Sequence, residues 1–263
     1  MEDYGQFFQY RDGQLHPITE HSQQVRLAVA DSFLIENGMV RGLEAHFNRF
    51  AEWVREVDGG ANKQLDGFFA EIKTLLPLTG RWFPRLEYHG EAAEGKHLYL
   101  RLREAPKQLA EMSLWTYPKT DPRTHPSIKG PELSLMMQLR RHAMFRGADE
   151  AVLLNQSGHV LEGALCGLVW WRGDVLCAPM PSKKRLDSIT SREVLTIAEQ
   201  MNFETGFEAA TPASLAGCEI WGLSSLHGIR PVTNWVDLDA NVGGVFHAEN
   251  FQKRLRLFAQ SID

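Results

Sequence analysis

The sequence predicts a protein of mixed α/β (α+β) class with two domains, and three features of the chain lead to this prediction. Its 263 residues suffice for one large domain or two modest ones. Segments with strand-like alternation and segments with helical periodicity occur in both halves of the chain. Four closely spaced prolines would end any long helix between the halves: Pro106, Pro118, Pro122 and Pro126. We predict a small N-terminal α+β domain at 1–107, an interdomain connection at 108–126 and a larger C-terminal α/β domain at 127–263.

The predicted N-terminal domain combines strands with two amphipathic helices. Apolar residues at steps of three and four predict helices at Gly42–Val57 and Leu65–Leu76, and Pro77 ends the second. Alternation of leucine with polar residues predicts a half-buried antiparallel strand at His97–Arg103. Asn37-Gly38 indicates a hairpin turn. Further strands are predicted at Gln6–Tyr10, Val25–Ala30, Ser32–Glu36 and Arg85–His89.

The predicted C-terminal domain contains three helices and several buried strands. Helical periodicity predicts helices at Pro131–Arg146, where Gly147 suits the C-cap, at Asp187–Met201 and at Ala248–Gln260. Short apolar runs between turn residues predict the strands: Met112–Tyr117, Glu150–Leu154, Val160–Cys166, Val169–Trp171, Val175–Ala178 and Glu219–Leu223.

Composition excludes several classes of protein. With 43% hydrophobic and 23% charged residues, the chain is typical of globular proteins rather than of disordered or fibrous ones. Its net charge of −5 provides no basic stripe for phosphates, so we expect no nucleic-acid partner. The most apolar stretch, Leu165–Trp171, is far shorter than the roughly 20 residues of a membrane-spanning helix. We therefore expect no membrane partner.

The N-terminus and the cysteines indicate the compartment. Met1–Gly5 is acidic and lacks the basic and apolar segments of a secretory signal. The three cysteines, Cys166, Cys177 and Cys218, are an odd number without CxxC spacing, which predicts neither a disulfide framework nor a thiolate metal site. We predict a cytoplasmic protein in which these thiols pack as small hydrophobic side chains.

The sequence lacks the usual single motifs of enzymes. It contains no GxGxxG, no Walker-type GxxxxGK[ST], no GxSxG and no HExxH. Ten histidines are scattered without the spacing of metal ligands, so we expect chemistry without a bound metal. A catalytic signal must therefore come from the order of several separated residues.

Five segments carry such a signal: LEAHFNRF at 43–50, SIKG at 127–130, ADEAVLL at 148–154, GHVLEG at 158–163 and SITSR at 188–192. Their order and spacing resemble the class IV (fold-type IV) pyridoxal-phosphate enzymes, a family that contains branched-chain aminotransferases, D-amino acid aminotransferases and 4-amino-4-deoxychorismate lyases. The resemblance extends from about Phe33 to Val232.

The resemblance implies that Lys129 is the catalytic residue, which forms a Schiff base with pyridoxal 5'-phosphate. A lysine amine suits this role because it can bond to the cofactor aldehyde and, once displaced by substrate, carry a proton. It also implies that Glu162 faces the pyridine nitrogen and keeps it protonated, which makes the ring a better electron sink. Taken without their neighbours, Lys129 could be a surface lysine and Glu162 an exposed residue beside a turn. The apolar neighbours of Glu162 favour a buried acid that needs a partner.

Contacts to the cofactor phosphate are also implied by the resemblance. Arg49 matches the arginine of the family's HxxR segment, and His46, Arg49 and Trp53 would share one face of a helix. A surface arginine is the alternative for Arg49. The other implied phosphate contacts are Ile189 and Thr190, which open a helix whose backbone N–H groups favour an anion, and the turn at Ser225 and Leu226.

Several positions depart from the family pattern. The chain has Gly167 where the family usually has an asparagine, and Ser188 replaces a glycine before the Ile-Thr pair but could cap the helix. Ser134 stands where branched-chain aminotransferases have a tyrosine, which favours the lyase branch. A carboxylate-bearing substrate needs a cation, and four arginines stay open for this role: Arg85, Arg101, Arg123 and Arg230.

From this resemblance we expect a homodimeric PLP-dependent aminotransferase. It would move an amino group between an amino acid and a 2-oxo acid through the Lys129 Schiff base. Two alternatives stay open: a 4-amino-4-deoxychorismate lyase, which eliminates pyruvate to give 4-aminobenzoate, and a non-catalytic relative of the same fold. Fold alone does not separate them, because the shared machinery precedes the branch point.

Overall fold

The computed structural model describes residues 5–19, 26–93, 95–182 and 184–262. Their mixture of helices and strands confirms the predicted mixed α/β class. The helices are α1 (Leu43–Val57), α2 (Leu65–Leu75), α3 (Leu133–Phe145), α4 (Ile189–Gln200) and α5 (Ala248–Arg256). The strands are β1 (Gln6–Arg11), β2 (Gln14–Ile18), β3 (Val29–Ser32), β4 (Ile35–Glu36), β5 (Met39–Arg41), β6 (Arg81–Trp82), β7 (Arg85–Tyr88), β8 (Leu98–Leu102), β9 (Met112–Thr120), β10 (Glu150–Leu154), β11 (Val160–Gly163), β12 (Gly167–Arg172), β13 (Val175–Pro179), β14 (Glu204–Glu208), β15 (Ile220–Ser224), β16 (Gly228–Trp235) and β17 (Ala259–Ser261).

The described residues form two compact units. The N-terminal unit comprises those within Met1–Lys107, Ile128–Pro131 and Phe258–Asp263, and the C-terminal unit comprises Gln108–Ser127 and Glu132–Leu257. Both units thus draw on separate parts of the chain, and the segment with Lys129 belongs to the N-terminal unit. The predicted domain boundaries, 1–107, 108–126 and 127–263, stay a prediction.

In the N-terminal unit, α1 and α2 pack on an antiparallel sheet of order β2-β1-β8-β7-β3. Phe47, Phe50 and Phe68 of the helices join the leucines of β8 in one core. Along β8 the leucines are buried and the intervening Tyr99 and Arg101 are half-buried, which confirms the predicted alternation. The face of β7 and β8 opposite the core therefore carries polar side chains.

A second sheet of this unit has the order β17-β5-β4-β6. Asn37 and Gly38 form the predicted turn between β4 and β5, with φ of 51° and 75°, as a two-residue hairpin turn requires. The predicted helix Ala248–Gln260 is wrong at its end. The helix stops at Arg256, and Ala259–Ser261 instead pairs with β5. An edge strand such as β5 presents unpaired backbone N–H and C=O groups, and a neighbouring strand can satisfy them.

The C-terminal unit contains a mixed sheet of order β11-β10-β9-β16-β15-β12-β13-β14. One face of β10 packs on α3 through Ala151 and Leu153, and Val152 points into a second core. The predicted strand Val160–Cys166 is shorter in the structure, because a tight turn in which the Gly163 N–H donates to the Cys166 carbonyl at 2.8 Å separates β11 from β12.

Other predicted features have mixed outcomes. The strand predicted at Val25–Ala30 starts at Val29 in the structure, and Val25, like Met1–Tyr4, lies outside the described residues. All three cysteines are free and buried, which confirms that they pack as small hydrophobic side chains. In the part of the chain that the structure describes, no helix has the length and apolar character needed to cross a bilayer.

Candidate active site

Lys129 lies in the N-terminal unit directly against β3. Its carbonyl oxygen accepts a hydrogen bond from the Ala30 N–H at 2.6 Å. The following residue, Gly130, has φ of +148°, a conformation that favours glycine. A Cβ at Gly130 would lie 2.8 Å from Val29 Cα and 2.9 Å from the Ala28 carbonyl oxygen. Glycine therefore lets this segment lie flat on the strand, and the backbone hydrogen bond fixes Lys129 beside Asp31, the next residue of β3.

Asp31 is the centre of a buried network that sequence reasoning missed. Its side chain is 1% exposed and interacts with His46 and Arg49 on the inner face of α1. The two carboxylate oxygens accept from Arg49 Nε and Nη2, both at 2.8 Å, and Oδ1 lies 2.8 Å from His46 Nδ1. The Ser32 N–H donates to Oδ1 at 2.7 Å. Arg49 is thus held as a fork, the geometry in which arginine binds carboxylates most specifically.

Burial and charge set the protonation states around this network. Burial lowers the pKa of Lys129 to about 8; Asp31 acts in the opposite direction, and the cations Arg49, Arg85 and Arg103 reinforce the decrease. Burial lowers the pKa of His46 to about 4 although Asp31 opposes it. His46 is therefore neutral at pH 7, and its Nδ1–H donates to the Asp31 carboxylate.

The Asp31 carboxylate stays ionised despite its burial. Desolvation alone would raise its pKa, but Arg49 and His46 together hold the pKa well below its usual range. By contrast, Lys129 is half-buried, and its Nζ has no hydrogen bond or ion pair with any of the described residues. The Lys129 amine is therefore partly neutral near pH 7 and has no hydrogen-bond partner among the described residues. It lies beside Arg49, whose charge is balanced by Asp31.

Glu162 lies on β11 in the C-terminal unit and is 6% exposed, in agreement with a buried acid. Its Oε1 accepts two hydrogen bonds, from Arg123 Nη2 at 2.8 Å and from the Leu186 N–H at 3.0 Å. No described residue donates to Oε2. Burial raises the pKa of Glu162, and Arg123 and the Leu186 N–H oppose that rise. The carboxylate therefore has one occupied oxygen and one that can accept a further donor.

Ile189 and Thr190 open helix α4 of the same unit, and both are buried. Ser188 precedes them as the N-cap, with its Oγ accepting from the Ser191 N–H at 3.2 Å, which confirms that it can cap the helix. A Cβ at Gly167 would lie 2.6 Å from Ser191 Oγ. The glycine at 167 is thus explained by the close approach of Ser191, which occupies the space beside β12.

Ser225 and Leu226 form the turn between β15 and β16 and are half-buried. The Leu226 carbonyl oxygen accepts from Gln108 Nε2 at 2.7 Å, and the His227 N–H donates to Ser224 Oγ at 3.2 Å. These bonds hold the turn in one conformation. The structure therefore puts this sequence-predicted pair on an ordered turn of the C-terminal unit.

Two sets of sequence-predicted residues are thus found, one in each unit. In the N-terminal unit, Arg49 and Lys129 come together around Asp31. In the C-terminal unit, Glu162 contacts Arg123, whose role the sequence left open. An acid inside the apolar strand Val29–Ser32 is the signal that could have pointed to Asp31, since a buried acid needs a partner.

The other arginines considered for a substrate carboxylate differ in their surroundings. Arg85 Nε donates to Glu87 Oε1 at 2.7 Å. The guanidinium of Arg101 lies 5.2 Å from the centre of the Phe7 ring, within range of a cation–π contact. Arg230 is 3% exposed, and its buried Nη1 has no hydrogen-bond partner among the residues that the structure describes. Arg85 and Arg101 thus lie on the polar sheet face of the N-terminal unit, whereas Arg230 lies in the interior of the C-terminal unit.

Comparison with known proteins identifies the family. The model of the class IV amino-transferase family matches residues 28–235. The chain therefore belongs to the class IV aminotransferases, and the resemblance found in the sequence is confirmed. No curated protein matches the chain significantly by sequence.

Solved structures share this fold at low sequence identity. The branched-chain amino acid aminotransferase of Escherichia coli has a TM-score of 0.83 at 13% identity, with 99% of this chain and 100% of that chain covered. A hypothetical aminotransferase from Mycobacterium tuberculosis, bound to α-ketoglutarate and PMP, has a TM-score of 0.79 at 18% identity, with 97% of this chain and 98% of that chain covered. An aminotransferase from Brucella abortus, bound to PLP, has a TM-score of 0.78 at 16% identity, with 96% and 97% covered. The predicted fold-type IV architecture is confirmed.

Proposed function

We propose that this protein is a PLP-dependent aminotransferase that transfers an amino group between an amino acid and a 2-oxo acid, with Lys129 as the catalytic residue. The observation that carries the proposal is the state of the Lys129 amine. It is half-buried, has no partner among the described residues, and has a pKa lowered to about 8, chiefly by burial and further by neighbouring arginines. Such an amine is partly neutral near pH 7, as a nucleophile requires.

Each unit has polar groups of the kinds that bind pyridoxal 5'-phosphate. Glu162 Oε2 can accept the N–H of a protonated ring nitrogen, because the other oxygen already holds Arg123 and the Leu186 N–H. Arg49 would supply positive charge to the phosphate, while its Nε and Nη2 hold Asp31. The remaining phosphate contacts that we propose are the start of α4 at Ile189 and Thr190, where a helix N-terminus favours an anion, and the turn at Ser225 and Leu226.

The bound cofactor would supply an aldehyde and a ring that accepts electrons from the substrate Cα. The chain contributes the proton transfers: Lys129 Nζ would accept the proton of Cα in its neutral form and, in its charged form, deliver it to the cofactor carbon that had carried the aldehyde. Burial, together with the cations Arg49, Arg85 and Arg103, keeps the pKa of this amine low although Asp31 opposes them. Glu162 keeps the ring nitrogen protonated through its open oxygen.

The test is the visible spectrum of the protein with and without Lys129. We expect purified protein supplied with PLP to be yellow, to lose its visible band on borohydride treatment with the cofactor fixed to the chain, and to transfer amino groups from a donor panel to 2-oxoglutarate. K129A should lose all three properties. The matched control is K119A, at an exposed lysine on β9, which should behave as the wild type. A colourless wild type that cannot be reconstituted would instead support a non-catalytic relative.

One observation keeps the 4-amino-4-deoxychorismate lyase as a second candidate. Ser134, an exposed residue at the start of α3, provides no aromatic hydroxyl where branched-chain aminotransferases of the family have a tyrosine. A lyase would release 4-aminobenzoate and pyruvate from aminodeoxychorismate and would show no amino transfer across the donor panel. Running both assays on one preparation separates the two reactions.

Assembly and location belong to the same proposal. The resemblance to the family supports a homodimer, which analytical ultracentrifugation of the PLP-loaded protein would test. A cytoplasmic location is supported by three cysteines that are free and buried. Neither expectation affects the assignment of Lys129.

A further inference from the structure

Arg123 lies in the segment that follows β9 and contacts Glu162. Its Nη2 donates to Glu162 Oε1 at 2.8 Å, and the two side chains are only 7% and 8% exposed. We propose that Arg123, held by Asp121, is a positioning residue that keeps the Glu162 carboxylate ionised and oriented, with Oε2 directed to a cationic ring nitrogen. The inference rests on the proposed function, in which Glu162 meets the ring of the cofactor.

Asp121 holds the guanidinium of Arg123 in a fixed orientation. Arg123 Nε donates to both oxygens of Asp121, at 3.0 and 3.1 Å, and Nη2 donates to Oδ2 at 2.7 Å. The backbone of Asp121 is anchored in turn, because its N–H donates to the Leu154 carbonyl at 3.0 Å. Arg123 Nη1 faces the Pro126 carbonyl oxygen at 3.4 Å. The guanidinium plane is therefore fixed before any ligand binds, and a planar fork fixes the carboxylate that it meets.

The charges of this group suit one cation. Two carboxylates, Asp121 and Glu162, share one guanidinium, so the three side chains have one negative charge in excess. A buried negative charge is costly unless a positive group compensates it. A protonated ring nitrogen at Glu162 Oε2 would supply that compensation. Arg123 thus opposes protonation of the buried Glu162 carboxylate, which would otherwise become neutral.

Three other titratable groups lie near Glu162, and none of them replaces Arg123. Arg185 is bound to the backbone carbonyls of Pro179 and Met180, at 3.2 and 3.3 Å. Burial raises the pKa of the Cys166 thiol well above its usual range, so this thiol is neutral. Glu150 lies on β10, the strand paired with β11, and its Cγ would be 2.9 Å from a Cβ at position 163. Burial raises the pKa of Glu150 to about 7.

The same contacts argue against Arg123 as the cation for a substrate carboxylate. Its Nε and Nη2 are occupied by Asp121 and Glu162, which uses the edge of the guanidinium that could form a bidentate pair. A substrate carboxylate at this point would also meet two negative side chains. One of the arginines that the sequence left open is therefore assigned to the cofactor side of the site.

The first experiment titrates Glu162 in the protein without cofactor. Carboxyl ¹³C resonances of labelled glutamate would be followed from pH 4 to 8, with E162Q identifying the signal of Glu162. Loss of an adjacent opposite charge moves a carboxyl titration by about 1–3 pH units, so R123Q should raise the midpoint of Glu162 by that amount. R123K should give an intermediate value, because an ammonium keeps the charge but not the fork.

The second experiment measures cofactor affinity against pH by quenching of tryptophan fluorescence. Binding should weaken at acid pH as Glu162 becomes neutral, and we call this low-pH decrease in affinity the acid limb. R123Q should shift the acid limb to higher pH by the same number of pH units as the Glu162 midpoint in the first experiment. R172Q is the matched control: it removes an arginine of the same unit that binds Glu208 through Nε and Nη2 at 2.9–3.2 Å and should leave the acid limb in place. The double variant D121N/R123Q avoids an unpaired Asp121 if R123Q does not fold.

Each outcome separates the inference from the proposed function. A raised Glu162 midpoint together with a raised acid limb supports the positioning role of Arg123. An acid limb that stays in place, with R123Q and R172Q differing from the wild type only in thermal stability, would mean a purely structural role and overturn the inference. Cofactor binding by the wild type would still uphold the proposed function in that case. A wild type that binds no PLP while the Glu162 midpoint moves as expected would overturn the proposed function instead.

Discussion

Asp31 in the N-terminal unit and Glu162 in the C-terminal unit are both buried carboxylates, but their hydrogen bonds differ. Asp31 accepts from Arg49 through both oxygens, and its Oδ1 also meets His46 and the Ser32 N–H. Among the described residues, the donors to Glu162 all contact its Oε1. Arg49 and His46 hold the pKa of Asp31 below its usual range in spite of burial, whereas burial raises that of Glu162.

This difference distinguishes a carboxylate that stabilises the fold, Asp31, from one that can still bind a ligand, Glu162. A carboxylate whose two oxygens both accept from donors of the chain stabilises the fold and has less capacity left for a ligand. An acceptor with an open oxygen leaves some hydrogen-bonding capacity unused in the fold, and a ligand can use it. In the proposed function, Asp31 would therefore act through Arg49 and Lys129, whereas Glu162 would contact the cofactor directly.

Replacing Asp31 by asparagine should cause the largest loss of stability. D31N keeps the shape of the side chain but leaves Arg49 buried without a counter-charge, and breaking a buried ion pair in this way typically costs about 3–5 kcal/mol. Urea unfolding at pH 7 would measure the change in the free energy of unfolding. E162Q is the contrasting variant, because Arg123 keeps Asp121 as its partner, and it should lose far less stability. Equal losses in both variants would contradict the distinction.

His46 should make the stability of the protein depend on pH in a defined window. Its pKa is lowered from 6.5 to about 4 in the folded chain, chiefly by burial, so between these values the unfolded chain binds a proton that the folded chain does not. Stability then falls as the pH is lowered from 6.5 to 4, by up to about 3 kcal/mol from this group. Asp31 stays ionised across this window, since its pKa lies below it.

Comparing unfolding curves of wild type and H46Q at several pH values tests this expectation. Glutamine can still donate to Asp31 but does not titrate, so the difference between the two curves isolates His46 from buried acids such as Glu150. H142Q, at an exposed position of α3, reports the effect of replacing a histidine outside the network. If the free energies of unfolding of wild type and H46Q change in parallel from pH 6.5 to 4, the pH dependence does not come from His46.

Local patterns predicted much of this fold because burial follows the periodicity of each element. The apolar steps of α1 and the alternation of β8 are visible without any partner. Two strands of the C-terminal sheet are not visible in this way. β14 has the sequence ETGFE at the sheet edge, and β16 contains Pro231, a residue that normally argues against an interior strand.

The candidate site was predictable only where a family pattern exists. Arg49 and Lys129 come from motifs, but the acid that joins them is 18 residues from Arg49 in the chain, and only the fold brings it onto α1. Arg123 and Glu162 are 39 residues apart, and neither has a local signal for the other. Long-range ion pairs of this kind depend on strand order, which a single sequence does not contain.

The smallest expected effect is at Ser188, because this residue stabilises the start of α4 in the C-terminal unit through a neutral hydrogen bond. S188A removes the acceptor of the Ser191 N–H at the start of α4, and loss of an N-cap typically costs about 1 kcal/mol. That is well below the loss expected for D31N, since no charge is left unpaired. Urea unfolding measures it, with S157A, at an exposed turn residue, as the matched control. If α4 also contacts the cofactor phosphate, S188A should weaken PLP binding while the acid limb set by Glu162 stays in place, whereas a shifted limb would show that the two contacts are not independent.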